Sequence, residues 1–151
     1  MYLIVYELKG TNIGQQIEIG DRNLTVESLR PHLYKHNNPA GSLKLIVKDE
    51  TATTTLFESE EVTVQSITDV TDNFFHGVVN FPVVGTLQKN TKYTIELSGV
   101  GGYTFNESAY IGWCNGFDLK VVPNSFTPID TLQDALILEI WERKRIEKGL
   151  Y

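Results

Sequence analysis

The sequence predicts an all-β sandwich in one domain, residues 1–151. Three observations carry that expectation. Short β-type segments recur along the whole length, Gly, Pro, Asn and Asp punctuate them, and the clearest run alternates with period two. In TKYTIELSGVGGYTF, Thr91 to Phe105, the side chains of Tyr93, Ile95 and Leu97 fall on one side of an extended chain and those of Thr94 and Glu96 on the other. A Gly-rich break at Gly99, Gly101 and Gly102 is expected to turn the chain before Tyr103 and Phe105 resume the pattern.

In chain order the strand candidates are Tyr2–Leu8, Gln15–Ile19, Leu24–Tyr34, Leu43–Lys48, Thr54–Phe57, Val62–Ile67, Phe74–Phe81, Tyr93–Leu97, Ala109–Cys114, Leu119–Val122 and Leu136–Trp141. Strands so short and so regularly spaced fit a sandwich or barrel. The third contains Pro31, which cannot donate to a ladder, so that strand is expected to bend there or to lie at an edge. Turns are expected at NNPAG (Asn37–Gly41), Asn73, Gly85, Lys89–Asn90, Gly99–Gly102 and Asn115–Gly116. Leu132–Ile146 has good helix formers and a cap at Asp130 or Thr131, yet Leu136, Leu138 and Ile140 alternate with Ile137, Glu139 and Trp141. The all-β context favours a long closing strand, with helix as the alternative. The core is expected to include Val5, Leu45, Val47, Phe81, Tyr93, Ile95, Leu97, Trp113 and Ile140.

Composition narrows the function classes. The net charge of −6 argues against nucleic acid, which needs a basic face, and against anionic lipid. A single cysteine, Cys114, rules out an intrachain disulfide and leaves too few thiolates for a structural zinc site. The opening MYLIVYELKG lacks a basic n-region and a cleavage pattern, so it reads as the first strand of a protein made in a cytoplasm and not exported. No apolar stretch approaches the roughly 18 residues of a transmembrane helix.

No motif points to catalysis. His32 and His36 have a helical ligand spacing, but Pro31 and the NNP that follows oppose a helix, and on a strand they would stand about 13 Å apart, too far for one ion. His76 reads as a hydrogen-bonded sheet residue, and no serine sits in a G-x-S-x-G elbow. Cys114, beside Trp113, lacks a visible activating base and reads as core. Glu58, Glu60 and Glu61 read as a solvated edge, and Asp69, Asp72 and Asn73 as a polar turn without calcium-loop spacing. The glycosylation patterns at Asn23 and Asn106 read as coincidence without export. Tyr103, Phe105, Tyr110, Trp113 and Phe117 cluster in sequence; core packing outweighs a sugar-stacking face. No catalytic residue, metal or cofactor is expected.

The order of segments LTVESLRPHLYKHNNPAGSLKLIVKD, LFESEEVTV, FFHGVVNF, TLQKNTKYTIELSG, GGYTFNESAYIGW and ALILEIWER resembles jelly-roll sandwich modules of the galactose-binding-like type in bacteriophage structural proteins, notably tailed phages of marine and cyanobacterial hosts. The resemblance covers nearly the whole chain and carries no active-site residues. It implies a two-sheet antiparallel jelly-roll sandwich and a noncatalytic virion protein, made in the host cytoplasm, whose partners are other virion proteins, with a homo-oligomer and a glycan as further candidates. Shortness and the absence of coiled-coil heptads favour a capsid decoration or cement protein on the head exterior over a tail-fibre or baseplate module binding host carbohydrate. A depolymerase would need a carboxylate pair, and nothing singles one out. Contacts are expected from loops and terminal strands, with Tyr2 at one end and Arg143, Lys144, Arg145, Lys148 and Tyr151 at the other; the basic tail suits an acidic capsid surface.

One prediction follows from the cysteine. Cys114 is expected to behave as a buried, inert thiol. Thiol labelling should be slow in native protein and fast after denaturation; rapid native labelling would restore a reactive role.

Overall fold

All strand pairs of the described residues are antiparallel, and they form two sheets. The structure, a computed structural model, describes residues 5–8, 13–67, 77–100, 108–114, 126–128 and 138–142. The strands are β1 (Val5–Leu8), β2 (Ile13–Ile19), β3 (Leu24–His36), β4 (Ser42–Lys48), β5 (Thr55–Glu58), β6 (Val62–Thr63), β7 (Gly77–Val78), β8 (Phe81–Leu87), β9 (Lys92–Val100), β10 (Tyr110–Cys114), β11 (Phe126–Pro128) and β12 (Leu138–Glu142). The first sheet has the order β1-β10-β3-β12, with β7 and β8 also paired to β3. The second has the order β11-β2-β9-β4-β5, with β6 paired to β4. From β1 to β4, and again from β8 to β12, each successive strand lies in the opposite sheet, the crossing pattern of a jelly-roll sandwich.

Alternation builds the core. In β4, Leu43, Leu45 and Val47 are fully buried while Lys44 and Lys48 face out, and Leu45 and Val47 stand opposite Leu97 and Ile95 of β9. The facing layer comes from Leu29, Leu33, Phe81, Trp113 and Ile140, all fully buried. Tyr93 is buried too, and its hydroxyl accepts a hydrogen bond from the Gln88 backbone N–H at 2.7 Å, which satisfies the polar tip inside an apolar layer. Every expected core residue whose side chain is described is therefore inside. Val5 lies in β1, but its side chain is outside the described set.

β3 pairs with four strands. β8 and β7 run along one side; β12, then β10, run along the other. Pro31 thus lies within a strand with neighbours on both sides, not at an edge. The Pro31 carbonyl accepts from the Val79 N–H at 3.0 Å. In an antiparallel strand the N–H and C=O of one residue point the same way, so the missing donor also faces Val79, in the short gap between β7 and β8. One ladder bond is lost there, and the pairing with Leu138 of β12 is untouched.

Several expected boundaries change, each for a packing reason. Val62–Ile67 is not one strand: after β6 the chain enters a 3-10 turn, Val64–Ser66. Val64 and Ile67 are both buried although three residues apart, which a strand would place on opposite faces. Gly85 is not a turn but lies mid-strand in β8, opposite Val26. A Cβ there would meet the Phe57 ring at 2.6–2.7 Å, so the glycine makes room for an aromatic ring of the other sheet. Gly99 does not break β9, which continues to Val100 and pairs with β4. The strands β8 and β11 were not expected. The expected turns at Asn37–Gly41 and Asn90 are present, with φ of 56°, 46° and 54° at Asn37, Asn38 and Asn90, the left-handed region that Asn tolerates best after Gly. Leu138–Glu142 is strand, as the all-β context favoured, and the rest of Leu132–Ile146 lies outside the described residues, as do Phe74–His76, Leu119–Val122, Asn73 and Asn115–Gly116.

Truncating Ile95 to Ala removes packing at the centre of both sheets' contact. It is expected to cost about 2–5 kcal/mol, read from chemical denaturation.

Candidate interaction surface

The two outer faces of the sandwich differ in character. On the second sheet the outward residues of β4, β5 and β9 are laced by charge: Lys44–Glu58 at 2.6 Å and Lys48–Glu96 at 3.1 Å. These pairs are partly exposed and each is worth little, but together they make a face that water wets readily. On the first sheet, Trp141, Val78 and Val84 are 44%, 49% and 85% exposed. Register places them on one face. Trp141 of β12 stands opposite Ser28, which stands opposite Pro82 of β8; His32 stands opposite Val78. Val84 follows Pro82 on the same face two residues on.

Arg30 lies at the centre. Its guanidinium carbon sits 3.9 Å from the Trp141 ring centroid. Its Nε–H is shared between Ser28 Oγ at 3.0 Å and Asn80 Oδ1 at 3.2 Å. The stacking contributes about 0.5–1 kcal/mol at an exposed site. Its larger effect is to fix the plane of a side chain that otherwise samples many rotamers. Beside this cluster, Arg22 holds Glu142 through a bidentate pair at 2.6 and 2.9 Å, which ties the β2–β3 turn to β12 and raises the Arg22 pKa. Between β3 and β8 the register shifts between Val26 and Ser28, leaving a recess of about 230 Å3 lined by Thr25, Val26, Glu27, Val83 and Val84.

The residues expected to make contacts, Tyr2, Arg143, Lys144, Arg145, Lys148 and Tyr151, lie outside the described residues, as do His76, Asp69, Asp72, Asn73, Tyr103, Phe105 and Phe117. Cys114 ends β10 opposite Val5, and its side chain is likewise outside the described set. His32 and His36 are half-buried on β3, and the His36 ring stacks on Tyr110 with centroids 4.9 Å apart at 28°. Tyr34 meets Tyr110 edge-on at 6.5 Å. Among the described residues no three His, Cys, Asp or Glu side chains gather in a metal-binding group. Of the sequence aromatics, Trp113 is core and Tyr110 faces out. Asn23 is engaged: its Oδ1 accepts from the Lys89 N–H at 2.8 Å. Arg30 and Trp141 were missed as a pair. One signal was present: if Ile140 faces in, Trp141 faces out.

A second recess, about 560 Å3, lies between the β4–β5 and β8–β9 turns and is lined by Asp49, Glu50, Leu56, Asn90, Lys92 and Tyr93 among others. Its charges are already engaged. Glu50 lies 3.8 Å from Lys92, and Asp49 Oδ1 accepts from the N–H groups of Thr53 at 2.8 Å and Thr54 at 3.2 Å. Those N–H donors hold the Asp49 carboxyl below its ordinary range. A depressed carboxylate stabilises the folded state above its unfolded pKa, and that contribution is lost as pH falls through the lower folded value. The melting-temperature gap between the native sequence and Asp49→Ala should therefore be full near neutrality and close on acidification below about pH 4. A gap that stays constant with pH would contradict this account of the turn.

No family model matches this chain, and no curated protein matches it.

Proposed function

We propose that this chain is a noncatalytic contact module: a virion structural protein that acts through protein–protein contact, on the capsid exterior. The observation that carries the contact role is the Trp141–Arg30 cluster among exposed Val78 and Val84 on one rigid sheet face. Trp and Arg dominate the energetics of protein interfaces, and Trp141, Val78 and Val84 share one exposed face with Arg30. The virion context rests on the order of segments alone, through its resemblance to phage jelly-roll modules. The net charge of −6 suits a protein held at high local density without nonspecific association.

A tail module binding host-surface carbohydrate is the second reading. The stacked His36–Tyr110 pair, with Tyr34 edge-on, favours it, because sugars lay their apolar faces on such rings.

Binding to undecorated particles tests the proposal. The full chain is expected to bind, Trp141→Ala to weaken binding at least about tenfold, and deletion of Ile146–Tyr151 to weaken it if the basic tail helps to anchor the chain. Counting copies in purified virions then separates the positions: hundreds for a head protein, a handful for a tail protein. No binding to particles, with specific binding on a glycan array, would replace the first reading by the second.

A further inference from the structure

We draw no further inference here: the strongest candidate, the recess of about 560 Å3 between the β4–β5 and β8–β9 turns, carries nothing, because its Glu50 and Lys92 face each other, its Asp49 carboxylate is taken up by the Thr53 and Thr54 N–H groups, and nothing in the structure shows what would fill it.

Discussion

The rest of the structure depends on one long strand. β3 runs 13 residues, and its two halves have different neighbours: β8 and β12 flank the first, β7 and β10 the second. A strand paired on both sides must satisfy every backbone donor it buries, yet Pro31 lacks one. The strand tolerates this because the missing N–H faces the short interval between β7 and β8, where only Val79 approaches and its own N–H is still satisfied by the Pro31 carbonyl. On the other side Pro31 stands at the last described pair with β12, and β10 pairs with β3 from Leu33 on. The same joint sets the sheet's shape, broad enough to carry an outer face yet narrow enough that β8 and β12 are both edges among the described strands.

Those edges are treated differently. β8 carries Pro82 on its open side, and that residue's carbonyl is taken by the Glu60 N–H at 2.8 Å. Only a short stretch around Val84 remains, too little for another strand to add on, and so the edge resists open-ended pairing. Contact through this face is therefore expected through side chains, not through extension of the ladder. The second sheet's outer face carries cross-strand ion pairs, with Leu56 of β5 exposed beside them.

The Arg30–Trp141 cluster inherits its order from the core beneath it. Leu29 and Ile140, directly opposite each other and fully buried, fix the backbone that displays Arg30 and Trp141 one residue later on each strand. Packing in the interior, not any contact at the surface, determines where the guanidinium stands. A site on strands is held more tightly than one on loops, which suits the proposed contact role.

The sequence alone determined the class and most of the core. Period-two alternation around Leu45, Val47, Ile95 and Leu97 specifies which side faces in whatever the partner strand is, because the pleat is a local property. Turn residues such as Asn37, Asn38 and Asn90 were legible for the same reason: their backbone angles are decided within a few residues. Gly85 misled because its role is to admit the Phe57 ring, 28 positions away in sequence, and no local rule separates that from a turn. The expected contact ends came from their terminal position, with charge added for Arg143 to Lys148, whereas the cluster on the described face came from pairing. Arg30 reads as an ordinary polar position, and Trp141 as an outward strand residue. Only the tertiary structure set β12 beside β3 in the register that stacks them, since strand pairing over more than a hundred residues is fixed by the closing of the whole core and not by either segment.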